Sequence, residues 1–310
     1  MNDQPFLHAF SNMSPATSHS SRAEDGSVMS GQVRKRFRRG AAQIPAPVRD
    51  STAPPVQTVV ASPVVTRYPA TSPIRDEWDE LRLVPMGVRR HFLSGAPLVN
   101  FFRRDPAAQA FDLLRTRLLQ TLRANGWSRI AIAAPTQGCG STFTAVNLAQ
   151  SLARIPNSRT VLMDLNHRNP DIARTLGLDC IGDTRRFLAG EIPLDRHLMR
   201  ASKTLALGLT ADPDPDAAEI LHNTRCGETL ERMTEVLHPD VVLYDLPPIL
   251  AYDDLVAFLP QVDGVLLVAD ATQTLARHIA ACEQMLDGQT QVLGVILNRA
   301  RRSGLKEYQL

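Results

Sequence analysis

From residue 105 onward, short runs of Val, Ile, Leu and Ala alternate with segments of helical periodicity. The apolar runs are Arg129–Ala134, Thr160–Leu165, Leu205–Leu209 (the weakest), Val241–Leu246, Gly264–Ala269 and Val292–Asn298. Between them, helices are predicted over Ser141–Arg154, in a stretch ending at Leu176, and over Asp216–Leu237, Asp253–Leu259 and Leu275–Leu286. A strand that is apolar on both sides has to be covered on both sides. The pattern therefore predicts an α/β fold, a mostly parallel sheet flanked by helices on both faces. Ligands of such folds bind beyond the carboxyl ends of the strands. One further helix precedes the first run: Asp105-Pro106 reads as an N-cap followed by proline at the first helical position. Phe111, Leu114, Leu118 and Leu122 recur at helical spacing after it, and Gly126 is the expected stop.

The first hundred residues have a different composition. Residues 11–75 are rich in Ser, Thr, Pro, Ala and Arg and lack apolar periodicity, so they cannot bury enough surface to offset their ordering entropy. The expected organisation is a long disordered N-terminal region (1–75), then a linker (76–104) with a short docking element carrying Trp78, Leu81, Leu83, Phe92 and Leu93. A nucleotide-binding domain (105–302) and a short tail (303–310) complete it. The run Arg34-Lys35-Arg36-Phe37-Arg38-Arg39 suits either an anionic surface or plain solvation. Over all 310 residues the net charge is only +2, which points to no specific nucleic-acid partner. Cys139, Cys180, Cys226 and Cys282 match no zinc spacing and no disulfide framework, which fits a reducing cytoplasm. No apolar run approaches the roughly 20 residues that span a bilayer. Any contact with the inner membrane is therefore expected to be peripheral, through a partner or the basic tail.

The segment Ala133-Ala134-Pro135-Thr136-Gln137-Gly138-Cys139-Gly140-Ser141-Thr142 follows a predicted strand and opens a predicted helix. Gly138 and Gly140 let the backbone curl so that successive N–H groups face inward. The helix start adds its positive dipole end, and Thr142 stands where a hydroxyl would ligate Mg²⁺ between phosphate oxygens. Taken alone, the segment also fits an ordinary glycine-rich turn. Two acidic strand tips favour the phosphate-binding reading: Asp164 ends Val161-Leu162-Met163-Asp164, and Asp245 ends Val241-Val242-Leu243-Tyr244-Asp245. Asp245 would hold Mg²⁺ through water, and Asp164 would orient or activate the attacking group.

Together these segments resemble the bacterial tyrosine kinases (BY-kinases) of capsule and exopolysaccharide synthesis, within the deviant P-loop group that includes the partitioning and division-site ATPases. The resemblance runs from Asp105 to Arg302. It is carried by Ala110–Thr116 before the loop, Gly138–Thr142 with Asn147-Leu148-Ala149 as Walker A, and Asp164–Pro170 as Walker A′. Asp245-Leu246-Pro247-Pro248 with Asp253-Asp254 resembles Walker B, and Val262–Val268 and Gly294–Arg299 resemble the last two strands. The resemblance implies a P-loop NTPase-like fold that binds ATP or ADP with Mg²⁺. Gly138, Cys139, Gly140, Ser141, Thr142, Phe143, Asn298 and Arg299 would bind the nucleotide, Asn298 near its base. Thr142 and Asp245 would hold the metal, with Asp164 and Asp245 as the catalytic acids. It also implies a separate membrane partner, a polysaccharide co-polymerase of the chain-length-determinant type, and raises self-association.

Several positions depart from the family pattern. Ser141 replaces the loop lysine that pairs with the β- and γ-phosphates, and Asn166 replaces a second Walker A′ acid. Arg168 is the cation in that stretch that could reach the same phosphates. Gln109, Asp112 and Arg115 occupy positions where the family places a glutamate and two arginines for ring contacts, and only Arg115 matches. Tyr308 is the one tyrosine in a tail where the family has a cluster. The expected function is a cytoplasmic, nucleotide-binding, kinase-like regulator of polysaccharide synthesis or export with weak or absent turnover. Two alternatives stay open at this point: an active autophosphorylating kinase, and a partitioning-type ATPase that binds DNA or a membrane surface.

Overall fold

The computed structural model describes residues 8–9, 76–84, 106–179, 182–214 and 216–300. Residues 1–7 and 10–75 with the basic run, Phe92, Leu93, Asp105, Cys180 and residues 301–310 with Tyr308 lie outside the described residues. In chain order the elements are β1 (His8–Ala9), α1 (Glu77–Glu80), β2 (Arg82–Leu83), α2 (Pro106–Asn125), β3 (Arg129–Ala133) and α3 (Ser141–Leu152). Then come β4 (Thr160–Asp164), α4 (Ile172–Leu176), α5 (Thr184–Leu188), α6 (Leu194–His197), β5 (Leu198–Arg200), β6 (Leu205–Gly208) and α7 (Ala217–Leu221). The chain continues with α8 (Thr224–Leu237), β7 (Val241–Asp245), α9 (Asp254–Phe258), β8 (Gly264–Asp270), α10 (Ala276–Leu286) and β9 (Gln291–Asn298).

Among the described residues the strands form one sheet in the order β1-β9-β8-β3-β7-β4-β6-β5-β2. The run from β9 to β6 is parallel. Its strands are short and, apart from their ends, apolar for the reason the sequence suggests: alternate side chains enter two separate cores. Ile130, Ile132, Leu162, Leu243, Leu266 and Val268 pack with Phe111, Leu114 and Leu118 of α2 and Val146, Leu148 and Leu152 of α3. Ala131, Val161, Met163, Val242, Tyr244, Val265 and Leu267 pack with Leu230 and Met233 of α8, Phe258 of α9 and Leu286 of α10. The first helix stops where expected: α2 ends at Asn125, Gly126 takes φ +70°, and the Trp127 N–H bonds the Leu122 carbonyl at 2.9 Å.

Two features differ from the sequence reading. The single helix expected over Asp216–Leu237 is two, α7 and α8. The break falls at Asn223, whose side-chain oxygen accepts the Arg225 N–H at 2.9 Å and caps α8. The sheet also extends beyond β6. The β5 strand returns antiparallel to β6, and β2 lies parallel to β5, pairing Arg82 with Met199. Residues 76–84 thereby pack on the domain. The Trp78 side chain is buried, its Nε1 donates to the Lys203 carbonyl at 2.9 Å, and the Arg159 guanidinium lies 5.3 Å from the ring centre. No helix among the described residues is long and apolar enough to cross a membrane.

Candidate functional site

The loop after β3 turns through two left-handed glycines, Gly138 (φ +83°) and Gly140 (φ +91°). A side chain at Gly140 would also strike the amide of Asn298. Gly140 occupies the N-cap of α3 and no side chain caps that helix, so its first N–H groups remain for whatever occupies the loop. The loop is tied down from the far end of the sheet. Asn298, the last residue of β9, donates Nδ2 to the Cys139 carbonyl at 2.9 Å. Arg299, itself left-handed at φ +56°, donates to the Gly138 carbonyl at 3.0 Å and pairs with Asp270 at the end of β8. Burial opposes ionisation of Asp270, but hydrogen bonds from Thr272, Arg299 and Gln273 outweigh it and hold the carboxyl at about 2.

The two acidic tips are neighbours in register, Asp164 of β4 opposite Asp245 of β7. Both side chains are fully buried. Thr142, in the first turn of α3, donates its hydroxyl to Asp245 Oδ2 at 2.6 Å, while Asp245 Oδ1 has no protein partner. Asp164 Oδ2 accepts the Ile172 N–H at 3.1 Å, and its Oδ1 is likewise without a protein partner. Burial raises both carboxyl pKa values, and the charge of Asp245 raises Asp164 further; the Thr142 bond offsets part of the rise at Asp245. Among the described residues no cluster of three or more His, Cys, Asp or Glu could hold a metal alone. A cation here would rest on Thr142 and Asp245 with oxygens from outside the chain.

A cleft of about 700 Å³ opens over the loop. Of the residues expected from sequence, Gly138, Gly140, Ser141, Thr142, Phe143 and Arg299 line it. Cys139, Asp164, Asp245 and Asn298 do not: Cys139 and the two acids are fully buried, and Asn298 nearly so. Asn298 acts on the loop backbone. The facing wall is formed by Asn166, Arg168, Asn169, Asp171, Arg174 and Thr175, with Pro248 and Tyr252 from the segment after β7. Arg168 is fixed on two sides. Its Nε donates to Asp254 Oδ2 at 2.9 Å, an Asp253 oxygen lies 3.9 Å away, and its Cζ stands 4.3 Å from the centre of the Tyr252 ring. Asp171, Arg174, Thr175 and Tyr252 carry no motif, and only the fold brings them to the cleft.

No protein-family model matches the chain. A putative tyrosine-protein kinase EpsB of Ralstonia nicotianae is 27% identical over 199 residues, which cover 63% of this chain and 26% of that protein. The tyrosine-protein kinase wzc of Salmonella typhi is 27% identical over 212 residues, covering 66% of this chain and 28% of its own length. The kinase domain of the Escherichia coli tyrosine kinase ETK superposes with TM-score 0.62 at 23% identity, over 72% of this chain and 90% of that domain. The BceF tyrosine kinase domain gives 0.58 at 24% identity, over 70% and 91%. In sequence the chain is similar to these tyrosine-protein kinases, and in fold to the tyrosine kinase domains. It spans about a quarter of the length of the EpsB and wzc relatives. The helix before the loop is tied to the rest of its own chain. Arg115 donates to Asp112 at 3.0 Å and to the Ser151 carbonyl of α3 at 3.1 Å, and Arg154 also pairs with Asp112. Of Gln109, Asp112 and Arg115, where only Arg115 matches the family pattern, Asp112 and Arg115 join α2 to α3.

Proposed function

We propose that the cleft binds ATP or ADP with Mg²⁺, and that the chain is a kinase-like regulator of exopolysaccharide or capsular polysaccharide synthesis or export with weak or absent turnover. The observation that carries this reading is the Thr142–Asp245 contact at 2.6 Å. A hydroxyl from the loop helix and a carboxylate from a distant strand meet beside a glycine turn, and Asp245 keeps a second oxygen without a protein partner. This donor set fits magnesium, a hard cation that prefers oxygen and binds through few protein ligands. Backbone donors of Gly138 to Thr142 would hold the phosphates, Phe143 and Arg299 would flank them, and Asn298 would keep the loop in shape. When bound, the metal neutralises charge between phosphate oxygens. Asp164 would orient the attacking group from beneath the cleft.

Ser141 is the reason to expect little turnover. It lines the cleft but brings no charge to a transferring phosphoryl group. Losing such a contact costs roughly 10²–10⁴ in rate. A nucleotide sensor needs binding rather than chemistry, and its output would pass to a membrane partner of the chain-length-determinant type. The test is nucleotide titration of the chain and of Ser141→Lys, with radiolabelled ATP added to each. The expected result is binding by both and phosphate incorporation by the variant alone, abolished by Tyr308→Phe. No binding by either would overturn the assignment.

A further inference from the structure

The cleft lacks a loop lysine but not cations, since Arg168, Arg174 and Arg299 all line it. They differ in what holds them. Arg174 is 81% exposed and pairs with Asp171 three residues earlier on the same segment, so solvent screens its charge. Arg299 is half exposed and spans Gly138 and Asp270, and thereby ties the loop to the sheet. Arg168 is only 22% exposed. It leaves the Walker A′ stretch, donates Nε to the fully buried Asp254 and sets its Cζ over the Tyr252 ring.

Such a guanidinium is oriented before any ligand arrives. Asp254 and Tyr252 together hold its position along the wall, so little rotamer entropy is left to lose on contact with an anion. Its low exposure also leaves its field less screened than that of Arg174. Resting on the reading of the cleft as a nucleotide site, we infer that Arg168 supplies the phosphate-facing positive charge that Ser141 does not, reaching the polyphosphate from the wall opposite the loop. Asp254 and Tyr252 are its positioning residues. The inference requires a positioned guanidinium, not donors that have no other use.

The experiment is anisotropy titration of fluorescent ATP and ADP, with Mg²⁺, on the full chain. Arg168→Ala is expected to weaken binding about tenfold or more, the usual effect of losing a charged hydrogen bond. Its affinity should also respond less steeply to added salt, a change that a purely structural defect would not produce. Arg186→Ala, a remote exposed arginine, keeps wild-type affinity. Ser141→Lys placed in the Arg168→Ala background restores binding. Removing Arg168 alone strands a buried Asp254 carboxylate, so Arg168→Gln with Asp254→Asn is measured alongside; it keeps the pair neutral and should show the same loss. Wild-type binding and an unchanged salt slope in a folded Arg168 variant would overturn the inference and leave the nucleotide assignment standing. A native chain that binds neither nucleotide would overturn both.

Discussion

Thr142 and Asp245 are 103 residues apart in the chain, and their side-chain oxygens are 2.6 Å apart in the fold. The contact exists because β3 and β7 are adjacent parallel strands, so the helix that follows one stands over the carboxyl end of the other. Thr142→Val keeps the shape and removes the hydroxyl. Binding of ADP with Mg²⁺ should weaken about 10–100-fold, measured by calorimetry, while Thr142→Ser stays within a few-fold. Equal affinity for the Val variant would remove Thr142 from the proposed metal site.

Acid should destabilise the domain through two histidines. His167 and His197 are buried, and burial lowers each to about 4 from an ordinary 6.5. Neither ring nitrogen of His197, which stacks on Phe187 with ring centres 4.4 Å apart, has a protein partner. Above pH 6.5 both states carry neutral imidazole. Below it the unfolded chain takes up the proton first, so these groups lower stability as pH falls from 6.5 toward 4. Urea midpoints measured across that range should fall less steeply for His197→Leu than for the native chain. Parallel curves would show that His197 is not held neutral.

What was legible in the sequence follows from burial. The strands β3, β4, β7 and β8 were readable because a strand covered on both faces must be apolar throughout, and their aspartates stood out against that background. Strands β5 and β2 are three and two residues long and gain their order from pairings such as Arg82 with Met199, so no local period announces them. The break at Asn223 was hidden because a capping Asn and a polar residue inside a helix look alike until the backbone is known. At the site, the glycine turn and both acidic tips were visible. On the other wall Arg168 was named from the Walker A′ stretch, but its seat on Tyr252 was not visible, because that contact joins residues 84 positions apart and neither belongs to a pattern that requires the other.

Arg299 carries a backbone cost that can be separated from its side chain. At φ +56° a residue with a Cβ is strained by about 1 kcal/mol relative to glycine. Arg299→Ala and Arg299→Gly both lose the bond to the Gly138 carbonyl and the pair with Asp270. Only the glycine variant relieves the backbone. It should therefore be the more stable of the two by about 0.5–1 kcal/mol in urea denaturation, with both weaker than the native chain in nucleotide binding. Equal stabilities would mean that the left-handed turn is not kept in solution.

Trp78 tests whether the edge strands belong to the cooperative unit. The side chain is 2% exposed and lies in the same core as Phe187, Leu198 and Leu230. Its Nε1 bond to Lys203 and the pairs Arg159–Asp76 and Arg200–Asp79 all join residues 76–84 to β5, the turn after it and the residue before β4. Those two ion pairs are partly exposed and add little by themselves, so the burial of the indole is the main attachment. Trp78→Ala should cost about 3–5 kcal/mol if β2 and β5 unfold together with the rest, seen as one lowered transition. If residues 76–84 instead detach locally, the main transition stays near its native midpoint and amide exchange accelerates only there and along β5. The contact register favours the single transition: β5 is held by β6 on one side and β2 on the other, and β6 pairs directly with β4, the strand that carries Asp164.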